Sequence, residues 1–223
     1  KNVLIIGVGY GLSASLARRF YKENMNIFLV ARNIEKINKL TLEVNAKSFS
    51  CDVSKVSDVE KLFLDLDQFI NSFDLVIYNP SLRIQGPINE FNPHEVKKSL
   101  DITCFGAFLV AHQATKRMLK QGNGAIFFTG ASASLKGFSN SSVFAMGKFA
   151  LRGLVQSLAR ELHPKNIHVG HFIIDGIIKK NQINFDEIFL DPDDIAETYF
   201  QIFKQNRSVW TSEIEVRPWT EKF

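Results

Sequence analysis

The groups best placed for chemistry are a glycine cluster, one arginine, one aspartate and one lysine. Gly7-Val8-Gly9-Tyr10-Gly11-Leu12-Ser13 stands between an apolar run ending at Ile6 and an amphipathic segment starting at Leu12. Glycines there let the chain turn tightly and let a diphosphate approach the backbone. The first amides and the dipole of the following helix then hold the anion. The string is not G-x-G-x-x-G, because Leu12 stands where the last glycine belongs. Instead Gly7 and Gly11 are separated by three residues, with the small Ser13 two further on. A tight turn that holds nothing is the alternative; a position in the first strand-to-helix turn favours phosphate binding. The second strand ends Val30-Ala31-Arg32-Asn33, with no carboxylate for ribose hydroxyls. Arg32 offers a permanently charged fork suited to a 2′-phosphate, which favours NADP(H) over NAD(H). Its other reading is a surface arginine at a helix start, where the dipole slightly disfavours a cation. Asp52-Val53, directly after the third strand, either pairs with an adenine amino group or caps the next helix.

These groups need a scaffold, and the chain supplies one by alternating short apolar runs with longer amphipathic segments. Strands are expected at Val3–Ile6, Ile27–Val30, Lys47–Cys51, Leu75–Tyr78, Ala125–Phe128, His168–Ile174 and Trp210–Val216. Helices are expected over Leu12–Tyr21, Ile34–Val44, Val56–Ile70, from Asn92-Pro93 to about Lys120, Ser142–Leu162, and from Asp191-Pro192 to about Phe203. Continuous apolar strands separated by helices mean a parallel sheet covered on both faces. The fold class is therefore α/β: a single-domain, Rossmann-type, doubly wound parallel sheet over residues 1–223, flanked by helices on both faces. Such sheets bind ligands outside the carboxyl ends of their strands.

Composition narrows the function classes. Of 223 residues, 45% are hydrophobic and 22% charged, which fits a globular chain and excludes a disordered one. The net charge of +4 comes without a polybasic run, so no nucleic-acid partner is expected. No apolar run is long enough to span a bilayer, so no membrane association is expected. Lys1–Gly11 carries a basic residue and a short apolar run, but its glycine turn does not read as a signal peptide. Cys51 and Cys104 read as small hydrophobes in a reducing compartment, which points to the cytoplasm. No metal site is expected, and His163, His168 and His171 read as helix-end, strand-start or packing residues.

Together these residues resemble the short-chain dehydrogenase/reductase family over nearly the whole chain. The resemblance rests on Gly7-x-x-x-Gly11-x-Ser13, Arg32, Cys51-Asp52-Val53, Tyr78-Asn79-Pro80-Ser81 and Phe144-Ala145-Met146-Gly147-Lys148. It implies hydride transfer between a nicotinamide cofactor and a small-molecule carbonyl or alcohol, in a homodimer or homotetramer. It assigns Gly7, Tyr10, Gly11, Leu12, Arg32, Asp52, Val53, Asn79, Lys148 and Ile178 to the cofactor. Its catalytic positions match unevenly. The asparagine position falls on Thr103, the serine position on Ala131 with Ser132 next to it, and the tyrosine position on Phe144; only Lys148 is retained. Asp175-Gly176 replaces the Pro-Gly after strand six, and Lys180 stands where a threonine is usual.

In the family pattern tyrosine gives the proton, lysine lowers its pKa and holds the ribose, and serine polarises the carbonyl. Phe144 has no transferable proton and Ala131 no hydroxyl. General acid catalysis is worth 10²–10⁴-fold, so its loss costs on the order of 3–5 kcal/mol of transition-state stabilisation. Ser132 is the stand-in by position, although it and Ser134, Ser139, Ser141 and Ser142 also suit turns and caps. Lys148 is the second candidate, since burial near another cation lowers a lysine pKa. Two readings stay open at this level: an NADP(H)-dependent oxidoreductase with an altered proton donor, using Lys148 and Ser132, or a catalytically inactive NADP(H)-binding protein that acts as a sensor or partner. Phe105, Phe108, Phe144 and Phe149 lie on the two long helices and either pack between subunits or face the sheet.

Overall fold

Alternate side chains of a strand point to opposite faces, so strands apolar at every position must be covered twice. In the computed structural model, which describes residues 1–179 and 188–220, this is what the apolar runs do. Strands β1 (Asn2–Ile6), β2 (Asn26–Ala31), β3 (Lys47–Ser50), β4 (Leu75–Tyr78), β5 (Gly124–Ala131), β6 (Ile167–Ile174) and β7 (Glu213–Val216) form one all-parallel sheet. Their order is β3-β2-β1-β4-β5-β6-β7, so the winding reverses between β1 and β4. On one face Leu4, Ile6, Val76, Tyr78, Ile126 and Phe128 pack with α3 (Val56–Leu66), α5 (Gly106–Gln121) and α6 (Ser142–Leu162). On the other Val3, Ile5, Leu75, Ile77 and Phe127 pack with α1 (Leu12–Tyr21) and α7 (Pro192–Phe203). The fold class and the flanking helices are as the sequence predicts.

Several boundaries differ, each for a local reason. The segment expected as one helix over Ile34–Val44 opens as a 3₁₀ turn, Glu35–Ile37, before α2 (Asn38–Glu43). Asn33 Oδ1 accepts from the Glu35 and Lys36 amides and tightens that first turn. Only Glu213–Val216 of the final run pairs with β6, and Trp210 instead stacks on His168 with ring centroids 4.7 Å apart. Asn92 and Asp191 do cap their helices, accepting from the His94 and Asp193 amides.

The largest departure is in the segment expected as one helix to Lys120. It is α4 (Pro93–Leu100), a π-turn at Asp101–Phe105, and then α5. A π-turn shifts the hydrogen-bond ladder by one residue and exposes a carbonyl. Here Tyr78, fully buried at the end of β4, donates its hydroxyl to the Ile102 carbonyl. Gly106 makes room: a Cβ there would lie 2.6 Å from the Tyr78 hydroxyl and 2.8 Å from the Val53 carbonyl. Replacing Gly106 by Ala is therefore expected to destabilise the fold by roughly 1–3 kcal/mol through overpacking. Urea unfolding should show a lower midpoint at unchanged slope; an unchanged midpoint would show that the clash relaxes freely.

Candidate active site

Two adjoining crevices open at the carboxyl ends of the strands. The first, about 250 Å³, is lined by residues that include Gly7, Val8, Arg32, Cys51, Asp52, Val53, Asn79 and Ser81. The second, about 350 Å³, is lined by residues that include Leu12, Asn79, Ser81, Arg83, Ala131, Ser132, Phe144, Lys148 and Ile178. Asn79 and Ser81 line both, so the two form one cleft across the point where the winding reverses.

The first crevice is built on the turn after β1. Gly7 has φ +82°, and the Gly7 and Val8 amides both donate to the Val30 carbonyl at 2.9 Å. Pro80 packs so closely that a Cβ on Gly7 would lie 2.6 Å from its Cγ, which makes glycine obligatory there. Cβ atoms built on Gly9 and Gly11 meet no atom within 4 Å, so the backbone edge of this turn faces open space. No side chain caps the start of α1, so its first amides have no side-chain partner. Ser13 is buried; its hydroxyl donates to the Gly7 carbonyl at 3.1 Å and accepts from Asn79 Nδ2 at 2.6 Å. Among the described residues the Arg32 guanidinium has no hydrogen bond or ion pair. Asp52 does not cap α3, which starts beyond Lys55 without a side-chain cap. Its carboxylate accepts from the Ser54 amide and hydroxyl at 3.1 and 2.7 Å. Burial opposes the Asp52 charge, but the Ser54 bonds hold the group below the usual carboxylate range. Burial pushes the Cys51 thiol up to about 12, which leaves it an inert apolar group. Tyr10 is exposed at the tip of the turn and lines neither crevice.

The second crevice is built on β5 and α6. Lys148 is buried, and its Nζ donates to the Thr129 carbonyl at 2.8 Å. Among the described residues it pairs with no carboxylate. Burial lowers its pKa to about 8. Its ammonium lies 5.7 Å from the centroid of the Phe144 ring. Ser132 lines the crevice, and its hydroxyl has no partner among the described residues. Ser134 is buried and accepts from the Ala131 amide, so it is a turn residue. Thr103 lines neither crevice; it is buried and its hydroxyl accepts from the Leu82 amide at 3.3 Å. Asp175 is held against β7 by the hydrogen bond that its backbone N–H donates to the Val216 carbonyl. Ile178 is clasped by a parallel bridge to Leu190. Lys180 lies outside the described residues.

One cluster beside this crevice escapes a sequence reading. The His171 ring fills the space over Gly130, where a Cβ would lie 2.3 Å from its Nε2. Its Nδ1 bonds Glu213 at 2.9 Å, and Arg152 bonds the same carboxylate at 2.7 and 2.9 Å. Burial holds the His171 pKa below its usual value despite the Glu213 bond. The sequence reading ends this strand at Phe128, whereas β5 runs to Ala131, so Gly130 becomes a strand glycine, the mark of a close approach, only in the structure. His163 and His168 sit instead at the opposite end of β6, with His168 stacked on Trp210.

Comparison with known proteins agrees with this architecture. A solved short-chain dehydrogenase from Rhodopseudomonas palustris is 34% identical, with a TM-score of 0.87 over 98% of each chain. A metagenomic short-chain oxidoreductase solved with NADP superposes with a TM-score of 0.88 over 98% of this chain and 97% of that one, at 21% identity, and so shares the fold. An uncharacterised oxidoreductase of Staphylococcus aureus is 26% identical over 98% of this chain and 97% of its own length. The family model described as short chain dehydrogenase matches residues 1–183, and the chain belongs to that family of NAD(P)-dependent oxidoreductases.

Proposed function

We propose that the chain, acting as one unit over residues 1–223, is an NADP(H)-dependent oxidoreductase that interconverts a small carbonyl compound and its alcohol with an altered proton donor. The observation that carries the reading is the shared lining of the two crevices. A guanidinium with no hydrogen bond or ion pair among the described residues at one end, and at the other a buried ammonium held by a carbonyl but by no carboxylate, belong to one cleft. The donor set fits a dinucleotide phosphorylated on its adenosine ribose. The open backbone edge from Gly7 through Gly11 to Leu12 suits the diphosphate, with Tyr10 at its rim. Arg32 suits the 2′-phosphate and Asp52-Val53 the adenine. Asn79, Ile178 and Lys148 flank the nicotinamide end. When bound, that group supplies or accepts the hydride.

The chain's own task is to orient the carbonyl and move a proton. The Ser132 hydroxyl is free to donate to the carbonyl oxygen. Phe144, at the position the family gives to tyrosine, is an apolar wall without a proton. The Lys148 ammonium is then the acid in reduction, and the neutral amine the base in oxidation. A pKa near 8 suits both roles close to neutral pH. The homodimer or homotetramer is also proposed, on the exposure of Phe105, Phe108, Met146 and Phe149 along the α5–α6 side. Light scattering should give at least twice the 25.3 kDa chain mass, and a monomer at micromolar concentration would remove that part.

Two measurements test the redox reading. Arg32→Ala should weaken NADPH binding by about 10- to 100-fold while NADH changes little, since only the former offers the charged partner. Equal losses for both in a fluorescence titration would remove the NADP assignment. The rate of carbonyl reduction should fall as pH rises through about 8, where Lys148 loses its proton, and oxidation should rise through the same pH. Lys148→Arg should move or abolish that transition; a profile unchanged by the substitution would exclude Lys148 as the proton donor.

A further inference from the structure

Arg83 is a cation that neither the dinucleotide frame nor the proton transfer uses. It lines the second crevice, whose lining holds two cations, Arg83 and Lys148, and no carboxylate among the described residues. Its guanidinium carbon lies 5.3 Å from the centroid of the Phe144 ring, against 5.7 Å for the Lys148 ammonium. The same ring therefore carries both charges, and their separation cannot exceed the sum of those distances. Among the described residues Arg83 has no hydrogen bond and no ion pair. A contact with the face of a ring uses none of the guanidinium's N–H donors, so they stay available.

The backbone on both sides of Arg83 is fixed. The Leu82 amide donates to Thr103 Oγ1 at 3.3 Å, and the Leu82 carbonyl accepts from Ser99 Oγ at 2.6 Å. Both partners are buried. On the other side the Gly86 amide donates to the Asn140 carbonyl at 2.9 Å, and Gln85 Nε2 reaches Ser141 Oγ at 3.4 Å. The loop after β4 is thus tied to the α4–α5 junction and to the loop before α6. The entropy of ordering the Arg83 backbone is spent in folding, before any ligand arrives.

We infer that Arg83 binds a carboxylate of the substrate, so that the carbonyl compound is a small oxo acid and the alcohol the matching hydroxy acid. The inference rests on the reading of Ser132 and Lys148 as the carbonyl end of the crevice. A planar fork matches a carboxylate with two parallel bonds. The basic lining then favours an anion over a neutral ketone of equal size.

The test pairs acids with their esters. Pyruvate and acetoacetate are compared with methyl pyruvate and methyl acetoacetate under NADPH, in the wild-type chain, Arg83→Gln and Arg83→Lys. The acids should show the higher kcat/KM in the wild type. Arg83→Gln should lower kcat/KM for the acids about 10- to 100-fold more than for the esters, chiefly through KM, with Arg83→Lys between. Calorimetry with malonate, a carboxylate that cannot be reduced, should show binding that Arg83→Gln loses. Esters used as well as acids, equal losses for both, or malonate binding indifferent to Arg83 would each overturn the inference. Reduction of esters without any preference for acids would leave the redox reading standing. Malonate binding through Arg83 without NADPH-dependent turnover of any carbonyl would do the reverse.

Discussion

Everything at the cleft depends on how the loops after β1 and β4 are joined. These adjacent strands are followed by helices on opposite faces, so their loops part and leave a gap. The gap has a defined shape because Ser13 ties the Gly7 carbonyl to Asn79, and Pro80 seats directly on Gly7. A side chain at Gly7 would push Pro80 away and widen the junction. The hydroxyl at Ser13 thus has a structural use: it converts two loops into one rigid floor. Both crevices share that floor through Asn79 and Ser81.

The opposite wall has a different physical basis. Lys148 is an ammonium buried with a neutral carbonyl as its fixed partner. A pKa drawn from 10.5 to about 8 corresponds to a cost of roughly 3 kcal/mol for keeping the charge there. Folds carry such a cost at sites where a group titrating near neutrality is useful. Beside it, the Arg152–Glu213–His171 chain joins α6, β7 and β6 beneath Gly130. It braces the end of β5, the strand that offers both the Thr129 carbonyl and the turn bearing Ser132.

Legibility in the sequence varied with the range of the interaction. The helix caps at Asn92 and Asp191 were readable because a cap is decided within three residues. The break at Asp101–Phe105 was not, since its partner is Tyr78, more than twenty residues earlier on another element. Among the serines before α6, type and position could not separate Ser132, which faces the crevice, from Ser134, which turns inward to the Ala131 amide. Arg83 carried no signal at all, because a single arginine in a loop is defined only by what surrounds it.

The amino-acid order alone determined the alternation of apolar strands and amphipathic helices, hence a parallel sheet covered on both faces and a glycine turn at the end of its first strand. It also determined which groups exist for chemistry: an arginine rather than a carboxylate after β2, and a lysine with a phenylalanine one helical turn before it. Tertiary structure decided which of those groups share a cavity, which are stripped of partners and which are spent on bracing. The reason is physical. Periodicity reports how each residue meets its own helix or strand, whereas burial, charge pairing and cavity shape arise between segments brought together only when the sheet closes its two cores.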